Sequence, residues 1–186
     1  MGAATSDHPD TARRSFFGRL LALAMVARIW PGLATEPERS PALTATQRAT
    51  LGVCADILVP GAAAAGVVEF VATMLGRPDP WLCYRFVSLP IPIGQFYRSA
   101  LDEIERYCRQ EFRSSLGGLS PRAQGEFIAG LARAQLDPWR GPPQSLVYFA
   151  LRSDAVDALY SPISAYQQLR VPYMAHIAPP HGWPSV

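Results

Sequence analysis

Apolar positions recur every three or four residues over most of this chain, and that period predicts helices throughout its central part. From Thr44 the spacing puts Leu51, Cys54, Ile57 and Leu58 on one face of a helix that stops before Pro60. Thr44-Ala45-Thr46-Gln47 reads as a capping box, in which hydroxyl and amide satisfy the first free backbone groups. Small residues from Gly61 to Ala65 form a loop. A second helix follows, with Val67, Phe70, Val71, Met74 and Leu75 inward and Gly76 as its stop. Trp81 to Leu89 is apolar and fits a short strand as well as a short helix. The longest helix runs from about Ile93 to Phe112, burying Tyr97, Leu101, Ile104 and Cys108. Its other face carries Arg98, Asp102, Arg106 and Arg109, with Asp102–Arg106 and Glu105–Arg109 spaced as i,i+4 ion pairs.

After Gly117-Gly118, Ser120 caps a fourth helix with Pro121 at its first position and Phe127, Ile128 and Leu131 inward. A turn-rich break from Asp137 to Pro143 surrounds Trp139. A fifth helix runs from about Gln144 to Tyr160, with Leu146, Phe149, Ala150, Val156 and Leu159 as its buried set. Beyond Ser161 the period fades. Strand signals are scarce, so the expectation is one small all-α domain of about five helices with an irregular, Pro/Trp-rich C-terminal tail.

The N-terminal pattern is of another kind. Arg13-Arg14-Ser15-Phe16-Phe17 precedes eight uninterrupted apolar residues, Leu20 to Ala27. Paired arginines, two phenylalanines and a short apolar run read as a twin-arginine export signal, with Arg13, Arg14, Phe16 and Phe17 as the residues the translocase reads. Eight residues span about 12 Å as a helix, against a hydrocarbon core of about 30 Å, so the run is no lasting anchor. Gly32-Leu33-Ala34 suits signal peptidase cleavage after Ala34. Arg28 places a charge where such signals stay neutral and leaves an uncleaved tail as the alternative. The expected organisation is a leader over 1–34, a linker over 35–43 and a helical domain over 44–186.

Composition narrows the function. Of 186 residues, 49% are hydrophobic and 17% charged, which describes a folded domain rather than a disordered chain. A net charge of +2 gives no footprint for nucleic acid. All 17 basic residues are arginine, which excludes a P-loop lysine and a Schiff-base lysine. Cys54, Cys83 and Cys108 match no zinc, haem or iron–sulfur spacing and read first as small buried apolar residues. No Gly-x-Gly-x-x-Gly follows a strand, and neither Gly-x-Ser-x-Gly nor His-Glu-x-x-His is present. No catalytic or metal-binding residue is therefore assigned, and the chain is expected to bind no cofactor of its own. His176 and His181 lack a nearby carboxylate and make a poor metal pair. An enzyme built on His176, Asp154 and the cysteines in an arrangement invisible to sequence is one rival reading. A free-standing exported helical binding protein without an obligate partner is the other.

Arg152 and Asp154, two apart on the fifth helix, point away from each other; Arg152 suits a carboxylate on another helix or on a partner chain. The tail around His176, Pro179, Pro180, Trp183 and Pro184 has little conformational freedom to lose. It serves equally as an interface anchor or as a flap over the chain's own core.

The order of pieces resembles a known family. The twin-arginine leader, Leu43-Thr44-Ala45-Thr46-Gln47-Arg48-Ala49-Thr50-Leu51, Ala55-Asp56-Ile57-Leu58-Val59-Pro60 and Ala65-Gly66-Val67-Val68-Glu69-Phe70 are similar to the gluconate 2-dehydrogenase subunit 3 family. These are the small (gamma) subunits of membrane-bound flavin dehydrogenases. Arg152, Asp154, Tyr160 and the closing Ala175-His176-Ile177-Ala178-Pro179-Pro180-His181-Gly182-Trp183 fit the same likeness. The resemblance implies a large FAD-binding partner of the glucose-methanol-choline type that oxidises a sugar, polyol or aldonate. A multihaem cytochrome c subunit carrying haem c commonly completes such a complex. It implies a non-catalytic small subunit that helps its partner fold. Its leader takes both chains through the twin-arginine translocase to the periplasm, where the complex is held at the inner membrane. On this reading Arg152, Asp154, Tyr160, His176, Pro179, Pro180 and Trp183 contact the partner. Many members carry Asp-Pro and Gly-Gly-Asn after the last helix; Tyr160-Ser161-Pro162-Ile163-Ser164-Ala165-Tyr166 stands there instead, which implies a divergent branch.

Overall fold

Thr44 and Gln47 start the first helix as their spacing predicts. The Gln47 N–H donates to Thr44 Oγ1 at 3.2 Å, and the Thr44 N–H donates to Gln47 Oε1 at 2.9 Å. This helix, α1 (Ala45–Leu58), belongs to a computed structural model that describes residues 42–87 and 90–170. Arg13, Arg14, Phe16 and Phe17 with the rest of the leader lie outside the described residues, as do His176, Pro179, Pro180 and Trp183 of the tail.

Five further helices follow: α2 (Val67–Leu75), α3 (Ile93–Phe112), α4 (Pro121–Arg133), α5 (Gln144–Tyr160) and α6 (Ile163–Leu169). Two 310 turns, Cys83–Phe86 and Leu116–Gly118, join them, and there is no strand among the described residues. The fold is all-α. The described residues up to Val87 and from Pro92 onward belong to one unit. Within it α1 and α5 are central: α1 packs on α2, α3, α4 and α5, while α5 also packs on α2, α4, α6 and the Cys83–Phe86 turn.

Local chemistry explains the boundaries. Gly66 opens α2 from φ +88°, a left-handed conformation that suits glycine, after a turn whose Gly61 and Ala63 N–H groups donate to Asp56 Oδ1. Ser120 accepts from the Ala123 N–H, with Pro121 at the first position of α4. The buried sets of α2 and α3 include every residue that the spacing predicts.

One open alternative is decided and three expectations need correction. In the Trp81–Leu89 stretch the short-helix alternative holds, as a 310 helix over Cys83–Phe86. The chain past Ser161 is not without regular structure: α6 starts after Pro162 and is anchored by buried Ala165, and seven residues are too few to display a period. Asp102 does not pair with Arg106, because its Oδ1 accepts from Gln47 Nε2 at 2.8 Å; Arg106 turns instead to Glu103. Glu105–Arg109 forms as spaced. On α5 the buried face is Leu146, Val147, Ala150, Leu151, Asp154, Ala155 and Ala158, while Phe149 is half exposed and Val156 and Leu159 are intermediate. Three alanines on this face let α5 approach its neighbours closely, and Phe149 stays half outside.

Glu103 is the second departure on α3. It is buried, forks onto Arg106 Nε and Nη2 at 2.6 Å each, and accepts from the Arg140 N–H at 2.5 Å. Arg106 Nη2 also donates to the Pro138 carbonyl at 2.7 Å. The 137–142 loop is thus tied to α3 by hydrogen bonds to both members of this intrahelical ion pair, with Gly141 against the Glu103 stem.

Candidate functional site

The most unusual polar group among the described residues is Asp154, a carboxylate with no solvent exposure in the middle of α5. Burying a carboxylate requires partners, and three elements supply them. From the 310 turn, the Cys83 N–H donates to Asp154 Oδ1 at 2.8 Å. From α3, the Tyr97 hydroxyl donates to Asp154 Oδ2 in a short hydrogen bond. The Tyr97 oxygen in turn accepts from the Tyr84 N–H. Two backbone donors at the start of a turn that lacks a side-chain cap are satisfied from the bundle interior. Ser153, the neighbour of Asp154, bonds the Cys83 side chain. The turn is therefore pinned to α3 and α5 at several points, and Tyr84 stacks on Phe96 with ring centroids 4.3 Å apart.

Burial is the largest influence on Asp154 and pushes its pKa up to about 7, against the opposing pull of the Cys83 N–H and the Tyr97 hydroxyl. Burial, reinforced by the Asp154 charge, raises Tyr97 well above its ordinary value, so it stays a protonated donor. Desolvation also raises Cys83 and Asp157. Cys54 and Cys108 are pushed up to about 12, chiefly by burial, and remain thiols at neutral pH. An enclosed aspartate with both oxygens bonded and a tyrosine bonded on both sides hold structure together; neither presents an atom to a substrate. Asp154 thus sits in the interior and not, as expected, on a partner-facing surface.

The other expected contact residues that are described do lie outside. Arg152 is exposed, with no carboxylate in ion-pair range among the described residues, and Tyr160 is 43% exposed. Sequence reasoning missed their neighbours. Trp81, two residues before the pinned turn, is 59% exposed and Phe86, at the turn's end, is 75% exposed, and α5 adds half-exposed Phe149. Arg85 lies over the Trp81 ring at 4.5 Å and pairs with Asp79 at 2.6 Å, fixing the indole from one side. One signal for Asp154 was legible: it stands at helical spacing from Ala150, Leu151 and Ala158, in an apolar register where a lone carboxylate calls for partners.

Elsewhere, a shallow cavity of about 350 Å³ lies between α3 and α4, lined by Tyr107, Phe112, Phe127 and Leu136 with Glu126 and Arg133. No cluster of three or more His, Cys, Asp or Glu side chains suited to a metal is found among the described residues. No described helix is long and apolar enough to cross a membrane.

Comparison with known proteins gives one match. No curated protein and no solved structure matches the chain. The family model described as gluconate 2-dehydrogenase subunit 3 matches residues 45–175, a span that opens at the first residue of α1 and includes all six helices and the Asp154 cluster. The chain belongs to the gluconate 2-dehydrogenase subunit 3 family.

Proposed function

We propose that this chain is the non-catalytic small subunit of a flavin-dependent sugar or polyol dehydrogenase complex, and the folding partner and export carrier of its large FAD-binding subunit. The observation that carries this reading is the family match over residues 45–175, because a third subunit of a dehydrogenase works in an assembly with others. Two features support the division of labour. The described residues form helices and 310 turns without a strand, whereas a dinucleotide-type flavin site is built on a strand, a glycine turn and a helix. The buried Asp154–Tyr97 cluster has each of its side-chain oxygens hydrogen-bonded within the fold.

On this reading Arg13, Arg14, Phe16 and Phe17 carry the assembled pair through the twin-arginine translocase to the periplasm. The flavin belongs to the large subunit, a multihaem cytochrome c takes the electrons onward, and the complex stays at the inner membrane. The test is isolation from the native host under mild conditions with a visible spectrum. A flavin spectrum with a companion chain of about three times this chain's mass supports the reading; a colourless single chain overturns it. Replacing Arg13 and Arg14 with lysine is expected to leave both chains in the cytoplasm, and normal export of the partner in that variant refutes the carrier role.

A further inference from the structure

We propose that Trp81, just before the 310 turn, and Phe86, at its end, with Phe149 and Tyr160 on α5, form the face that docks onto the large flavin-binding subunit, and that Arg152 meets a carboxylate there. The assignment rests on the subunit reading above and adds the surface and its chemistry. Six large hydrophobic side chains are exposed among the described residues, and four of them belong to this one region; Phe112 and Leu169 stand on other helices. Exposed aromatics concentrated on one face, rather than scattered singly, mark interaction surfaces.

Helix spacing lines up the α5 residues, and the 310 turn packs on the same helix. At about 100° per residue, Val156 and Tyr160 fall within about 20° of Phe149, one on each side, so the three share a stripe about 40° wide on α5. Ser153, on the flank of that stripe, bonds the Cys83 side chain, which sets the turn with Trp81 and Phe86 along one edge. Arg152 stands on the opposite edge, exposed and with no described carboxylate in range. By contrast, Arg85 is committed to Asp79 and the Trp81 ring. An apolar centre with an exposed guanidinium at its edge, not paired among the described residues, is complementary to an apolar surface bearing a carboxylate. The anchors are also ordered in advance, since Asp154 and Tyr97 hold the turn from inside. Docking therefore spends little conformational entropy on it.

The probe is the large flavin-binding chain of the native complex, identified by its spectrum and peptide masses and co-produced with the full-length small chain. Phe86→Ser combined with Phe149→Ser is expected to keep the wild-type helix content and melting temperature, because both side chains face outward. It is expected to weaken binding of the large chain by about 30-fold or more, the scale of aromatic hot spots. Arg152→Glu is expected to weaken binding by about tenfold, and Phe112→Ser, on α3, by less than about twofold. Oxidative footprinting of the unmutated complex supplies a second readout independent of the variants' folding, with Trp81, Phe86 and Phe149 shielded relative to the free small chain. Unchanged binding by the double variant together with unshielded aromatics overturns this face and leaves the subunit reading standing. A wild-type chain that binds no flavin-binding chain, or pairs through this face only with itself, overturns both.

Discussion

Replacing Tyr97 with phenylalanine tests whether the buried aspartate is held by its partners. The substitution keeps the ring, which stacks edge-on to Phe96 with centroids 5.3 Å apart, and removes only the hydroxyl. Two buried groups then lose a bond: Asp154 Oδ2 loses a donor and the Tyr84 N–H loses its acceptor. A bond to a charged group contributes about 1.5–3 kcal/mol and a neutral one about 0.5–1.5 kcal/mol, so the loss depends on the charge of Asp154. In the folded protein that carboxyl titrates near 7, against an ordinary value of 3.8. The folded state therefore binds the extra proton between these limits, so Asp154's contribution to stability is fully present below pH 4 and is lost as pH rises through 7. Removing a donor that favours the ionised form raises the folded pKa further. Tyr97→Phe is thus expected to destabilise the chain by about 3 kcal/mol at pH 8 and about 2 kcal/mol at pH 5. Urea unfolding of wild type and variant at both pH values, followed by far-ultraviolet circular dichroism, measures this. An equal loss at the two pH values, or a loss under about 0.5 kcal/mol at pH 8, refutes the idea that Asp154 is a buried acceptor fixed by Tyr97.

Asp154→Asn keeps an acceptor for the Cys83 N–H and removes the titration, so the fall in stability between pH 4 and 7 is expected to flatten in the same urea series. Gly141→Ala places a Cβ 2.7 Å from Glu103 Cγ and 2.8 Å from its Cβ, too close without a shift of the loop. A loss of about 1–3 kcal/mol is expected, with a change in Trp139 fluorescence as the loop yields. Thr44→Ala removes one half of the capping box and is expected to reduce stability by about 1 kcal/mol, with faster amide exchange confined to the first turn of α1.

The sequence by itself determined what depends on neighbours within one helical turn. The capping box at Thr44, the Ser120 cap with Pro121, the extent of α3 and the inward faces of α2 and α3 follow from groups three or four residues apart, and each stands where its spacing puts it. Tertiary structure alone decided the rest. The bonds that satisfy Asp154 come from residues 57 and 71 positions away in the chain, so its apolar register alone does not show which groups hold it. Glu103 likewise meets the Arg140 N–H across 37 positions and takes Arg106 away from Asp102. Apolar side chains occur on more than one side of α5, and only packing against α1, α2 and α4 chose the alanine-rich face. That choice left Phe149 and Tyr160 outside, beside Trp81 and the turn that ends in Phe86. Helix periods and caps are short-range free energies written in consecutive residues. The enclosure of a carboxylate and the exposure of an aromatic are settled by which distant segments fold against it, and so only the assembled bundle fixes them.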